Sequence, residues 1–332
     1  MNKLLATIAF PTLLILTQPA RCQIPQEKWI RITNQEGDDF HPSFSPDGKH
    51  ILFDSQRDGH GEVYVANVDG TGASRITNSN AANDHPHWFP SGERIIFESA
   101  RHGAKDVYSM NADGSNERRL TPNPGFDGAG LVSPDERKIV YAVWVESKTY
   151  DLLLMNSDGT SPVVVTNDNT NDYGHTWSPD GSQILFTTER YGKTELMVSD
   201  LSGKTRRITN NNFADEGGQW SPHNNRIIFH SDRHGNFEIY SMKTDGSDVR
   251  RITDSPSTDG EIAISPDGKK IAFIRGEEQT ADIFIIDVNG KHEKQVTKNS
   301  QREAVPAWAP DGKSLTFVSD LNGNLEVFVV KL

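Results

Sequence analysis

Apolar runs too short for helices alternate with polar punctuation from Trp29 to the C-terminus. In the first unit, His41-Pro42-Ser43-Phe44-Ser45 reads as a strand (A) and His50-Ile51-Leu52-Phe53 as a second (B). Glu62-Val63-Tyr64-Val65 reads as a third (C) and Ser74-Arg75-Ile76-Thr77 as a fourth (D). The A–B link, Ser45-Pro46-Asp47-Gly48, has the chemistry of a tight turn: Pro presets φ, Asp caps the turn, and Gly takes the left-handed position. Gln56-Arg57-Asp58-Gly59 and Asp69-Gly70 close the other two links.

The unit recurs seven times. Its turn prolines are Pro46, Pro90, Pro134, Pro179, Pro222, Pro266 and Pro310, spaced by 44, 44, 45, 43, 44 and 44 residues. Ile32, Ile76, Leu120, Val165, Ile208, Ile252 and Val296 keep the same step, mostly within Arg-Ile-Thr. Strand-like content at this period predicts an all-β fold, a seven-bladed β-propeller of four-stranded antiparallel blades. The last repeat supplies only A, B and C, whereas Trp29-Ile30-Arg31-Ile32-Thr33 is an unpaired D strand before the first. This N-terminal strand (29–33) is therefore expected to complete the C-terminal blade and remove two open sheet edges. Blade 3 replaces the turn glycine by Glu136, and in blade 5 Asn224 is expected to take the left-handed position. Trp88, Trp177, Trp220 and Trp308 share one column, two residues before the turn proline, and are read as wedges between blades.

Residues 1–22 are read as a signal peptide, with Lys3 before an apolar run from Leu4 to Thr17, leaving residues 23–332 as one propeller domain. Cys22 is the only cysteine; Arg21 before it does not suit a lipidation site. The expected location is exported, periplasmic or secreted, with no transmembrane segment in the mature chain. Net charge is -12, and the excess of acid argues against a nucleic-acid partner.

The strand order puts the D–A links and B–C turns on one face, here called the top. Seven residues before each turn proline stand Asp39, Asn83, Asp127, Asp172, Asp215, Asp259 and Glu303, expected to ring the top of the channel. Arg57, Arg101, Arg190 and Arg233 stand eleven after the proline; blades 3, 6 and 7 lack this arginine. Glu62, Asp106, Glu195, Glu238, Asp282 and Glu326 stand sixteen after it. Acid–arginine pairing within the loops accounts for much of this, and the surplus acids predict a negative channel mouth. Most histidines fall on the same face. His41 and His85 occupy equivalent positions, and with His87 they are weak candidates for a transition-metal site. Asp168-Asn169-Thr170-Asn171-Asp172 has a calcium-loop flavour but lacks the glycine and the downstream glutamate, so no calcium loop is expected there.

The unit Arg-Ile-Thr…Trp-Ser-Pro-Asp-Gly…Ile-Leu-Phe…Glu-Val-Tyr, best kept at 207–246 and 31–70, resembles the WD-repeat-like propeller repeat of the TolB family. The resemblance implies an exported binding propeller, with an envelope lipoprotein among the partners it suggests. TolB differs in carrying an N-terminal α/β domain and six blades. No nucleophile elbow, His-Glu-x-x-His, phosphate loop or dinucleotide fingerprint occurs. The expected role is a monomeric, protein- or peptide-binding module using Asp39, Asp127, Asp172, Asp215, Asp259, Glu303, His41 and His85. No cofactor is predicted beyond a candidate divalent cation at the channel mouth. A metal-assisted carbohydrate lyase or hydrolase and an envelope scaffold are the alternatives.

Overall fold

A computed structural model describes residues 24–332 except 123–124, 145–148, 278 and 300; the expected signal peptide and Cys22 lie outside the described residues. Seven four-stranded antiparallel sheets form a ring. Blade 1 is built from Asp39–Phe44, His50–Ser55, Glu62–Asn67 and Ser74–Arg75, and the later blades repeat this order. The A strands of neighbouring blades touch one another, so they line the central channel. Strands B and C are buried along almost their whole length, because each sheet is covered on both faces by its neighbours. The core is accordingly a chain of inter-blade clusters rather than one centre, for example Ile51, Phe53 and Tyr64 with Val318 and Val327.

The A–B turn works as its residue types dictate. Ser45 Oγ donates to Asp47 Oδ1 (2.6 Å) and accepts from His50 N (3.0 Å), while Gly48 sits at φ 71°. Glu136 adopts φ 61° at the glycine position of blade 3. In blade 5 the left-handed residue is Asn225 at φ 49°, not the expected Asn224; the turn keeps its length, with Ser221 N bonded to Arg226 O as Ser45 N is to His50 O. Two of the four tryptophans in the column hydrogen-bond from blade to blade: Trp177 Nε1 donates to Leu131 O (3.0 Å) and Trp308 Nε1 to Ala263 O (2.9 Å).

Ring closure follows the sequence expectation. Ile30–Arg31 pairs antiparallel with Glu326–Lys331, opposite Val329 and Phe328. Thr33 Oγ1 accepts from Val327 N at 2.9 Å, the bond that Thr77 makes with Val63 N inside blade 1. Among the described residues no helix is long and apolar enough to cross a membrane.

Candidate functional site

Most joints between blades reuse one polar kit. The strand C acid takes the arginine and the threonine of Arg-Ile-Thr from its own blade. Glu195, for instance, accepts from Arg207 Nη2 (2.6 Å) and from Thr209 Oγ1. The next blade contributes the first residue of its strand A, paired with the arginine at the end of its strand B: Asp39 with Arg57 (3.1 Å), Asp172 with Arg190 (3.0 Å) and Asp215 with Arg233 (2.8 Å). Aromatic rings support these arginines from below, as Tyr64 does for Arg57 at 4.4 Å and Tyr240 for Arg233 at 4.7 Å.

This corrects the picture of an open acidic ring. Asp39, Asp172, Asp215, Asp259 and Glu303 are fully buried, and Asp127 nearly so; the column ties blades together beneath the surface. Blade 6 also has its arginine after all. Arg275, two positions earlier in register than its counterparts, grips Asp259 at 2.6 and 2.8 Å. Glu303 is held by neutral donors instead, Asn299 Nδ2 (2.8 Å) and Ser319 Oγ (3.0 Å). Burial pushes its carboxyl up to about 7.

The residues that do reach the channel are placed by a β-bulge. In every blade the A–B register slips between the second and fifth residues of strand A. The residue at the slip, five before the turn proline, has positive φ each time: His41 (50°), His85 (49°), Ala129 (50°), Gly174 (60°), Gly217 (61°), Glu261 (44°) and Val305 (54°). The column is conformationally uniform and chemically lopsided, with two imidazoles side by side on blades 1 and 2.

His41 and His85 lie with ring centroids 3.9 Å apart. His41 Nδ1 meets Asp54 Oδ1 at 2.7 Å. His85 Nδ1 lies 3.5 Å from Asp84 Oδ1 and 3.6 Å from Glu98 Oε2. Lys105 Nζ stands 2.9 Å from both of these carboxylates, and Glu98 Oε1 also accepts from Ala129 N at 2.6 Å. Burial opposes charge on His85, but the hydrogen bond to Asp84 and the charges of Glu98 and Asp84 outweigh it and raise its pKa. Both rings are partly open, their side chains 32% and 42% exposed, with the Nδ1 edge turned to carboxylates. A carboxylate behind Nδ1 is also how imidazole ligands of metals are oriented.

His87 is half-buried below this pair, and burial together with His41, His85 and His175 pushes it down to about 4. His175 is buried, donates Nε2–H to Ala129 O (2.7 Å), and is likewise held near 4 by burial. The structure thus brings His41, His85 and His87 together, as expected, but separates them from the acid column. The partners that sequence reasoning missed are Asp54, Asp84, Glu98 and Lys105. Asp54 and Glu98 had a signal: each ends an apolar strand B run, Ile51-Leu52-Phe53 and Ile95-Ile96-Phe97, where blades 3, 6 and 7 carry Ala142, Ile274 and Val318.

The family profile of the TolB beta propeller domain matches residues 22–205, 132–281 and 254–332. Among solved structures, the putative TolB from Agrobacterium tumefaciens is 22% identical, covering 80% of this chain and 95% of its own, with a TM-score of 0.59. An oligogalacturonate lyase in complex with manganese is 16% identical, covering 91% and 92%, with a TM-score of 0.76. A puromycin-hydrolyzing peptidase of Mycobacterium tuberculosis is 13% identical over 94% of this chain and 55% of its own, with a TM-score of 0.73. At these identities the likeness is one of fold.

Proposed function

The chain belongs to the TolB beta propeller family, and from that premise we propose that it is an exported, non-catalytic binding propeller that engages a protein or peptide at the channel mouth of blades 1 and 2. One observation carries the reading: the partly open pair His41–His85, backed by Asp54, Asp84 and Glu98 against the single cation Lys105. Carboxylate charge in excess of Lys105, screened from water by two imidazoles, favours a basic group from a partner. The ring of Asp39, Asp127, Asp172, Asp215, Asp259 and Glu303 acts behind this surface, holding the blades that present it. An envelope lipoprotein is a partner class in keeping with the family.

The test is recovery of partners from envelope extract with the wild-type chain, with His41→Ala/His85→Ala, and with a control at the bottom-face turn, Asp311→Ala. Loss in the histidine variant alone supports the mouth of blades 1 and 2. Equal recovery by all three removes it.

A second reading, metal-assisted cleavage of a carbohydrate, has one observation in its favour. Ligand atoms of Asp84, His85 and Glu98 lie within 4.8 Å of one another, on a fold shared with a manganese-containing lyase. Against it, the Lys105 ammonium already bridges both carboxylates. Manganese titration of the wild type and of Lys105→Ala tests it: binding that His85→Ala abolishes supports this reading, and silence in both proteins ends it.

A further inference from the structure

The joint between blades 3 and 4 departs from its siblings in two places at once. At the joint between blades 4 and 5, Arg207 neutralises the strand C acid Glu195, and the neutral Asn211 donates to Asp215 at 2.5 Å. The equivalents one joint earlier are Val164 and Asp168. An arginine has become an exposed valine and a neutral amide has become a carboxylate. Three carboxylates, Asp151, Asp168 and Asp172, then face the single guanidinium of Arg190, which lies 2.5 Å from Asp168 and 3.0 Å from Asp172.

Oxygen atoms of the three acids lie within 4.8 Å of one another. Two oxygens on opposite sides of a calcium ion, each about 2.4 Å from it, would be about that far apart. Asp172 is fully buried, and its Oδ1 accepts no hydrogen bond among the described residues, while its Oδ2 holds Arg190. Asp151 is 2% exposed and has only long contacts, Thr166 Oγ1 at 3.2 Å and Asp168 N at 3.3 Å. Asp168 is about one-third exposed and forms the open side. The joint between blades 6 and 7 also has two acids short of arginine, Asp282 and Glu303, but it holds no third carboxylate at the position of Asp168, where Asn299 stands and donates to Glu303 at 2.8 Å. At the 3–4 joint a third carboxylate sits beside the buried pair and opens it to solvent.

We propose that Asp151, Asp168 and Asp172 form a binding site for one hard divalent cation, calcium by donor type, which clamps blade 3 to blade 4. The donors are all oxygens, and the two negative charges in excess of Arg190 match one such ion. The site is made by two blades, unlike the helix-flanked loop that a calcium-loop motif implies. It is separate from the His41–His85 mouth.

The test uses the whole mature chain with calcium chloride alone as the probe, after treatment with EDTA. Calorimetric titration should give one saturable site, and calcium should raise Tm. Val164→Arg/Asp168→Asn restores the pattern of the neighbouring joint, so it should fold. It should bind calcium at least tenfold more weakly and melt in EDTA no lower than the wild type. His41→Ala/His85→Ala should bind calcium as the wild type does, which keeps this proposal distinct from the mouth. No saturable binding by the wild type at millimolar calcium, or unchanged binding by the restored joint, overturns it; in that case the buried acids are relieved by a proton, as at Glu303.

Discussion

Glu303 and His175 show how single buried groups give this protein opposite responses to the same pH range. Glu303 titrates near 7 when folded against an ordinary value of 4.5, so the folded state holds the extra proton between those limits. Its contribution is complete below pH 4.5 and is lost as pH rises through 7, amounting to roughly 3 kcal/mol from the shift. Glu303→Gln keeps an oxygen for Asn299 and Ser319 and removes the titration. Its stability relative to wild type should therefore rise between pH 4.5 and 7, measured by urea unfolding at each pH. His175 is held near 4 against 6.5, so there the unfolded state takes the proton first. That contribution is intact above pH 6.5 and is lost as pH falls toward 4. His175→Gln should flatten the acid limb of the stability profile, and a limb as steep as wild type would refute the assignment.

Strand A is the element in which sequence and structure part company. Its existence and position were legible, because the turn proline and the Ser–Asp–Gly chemistry fix where each strand A ends. Its bulge was not, since His, Ala, Gly, Glu and Val share the left-handed position and no residue type marks it. The ladder register imposes that conformation on whatever side chain is there. Gly174 isolates the cost: at φ 60° an added Cβ would meet Thr187 Oγ1 only at an ordinary 3.6 Å. Gly174→Ala should therefore lose about 1 kcal/mol to backbone strain alone, whereas at Gly217 a Cβ would press on the His230 ring at 2.9 Å and cost more. Chemical denaturation of the two variants would check the order, and equal losses would show that strain, not contact, sets both. The same limit hid the partners of the acid column. Arg275 reaches Asp259 from two residues earlier, and the extra residue in the third repeat moved Asp151 out of the acid column it belongs to.

At the scale of the whole molecule, the repeat predicts how the ring closes, because a missing last D strand and an unpaired first one can only complete each other. The structure makes that joint chemically the same as the internal ones. Thr33 takes the Val327 amide as Thr253 takes that of Ile239, and Arg31 pairs with the buried Glu326 as Arg251 pairs with Glu238. What differs is connectivity: at the closing blade these bonds join residues nearly three hundred positions apart. Thr33→Val and Thr253→Val each leave one buried amide without its acceptor, at a cost of about 1–3 kcal/mol. The equilibrium losses should be of the same order, since each variant removes the acceptor of one strand C amide, Val327 N or Ile239 N, at 2.9 Å. The unfolding rates should not be. Thr253 lies within a blade whose four strands follow one another in the chain, whereas Thr33 holds the strand whose release opens the ring and exposes two sheet edges. Thr33→Val should therefore speed unfolding several-fold more than Thr253→Val, measured by stopped-flow denaturant jumps. Equal rates would mean that the ring does not open first at its closing blade.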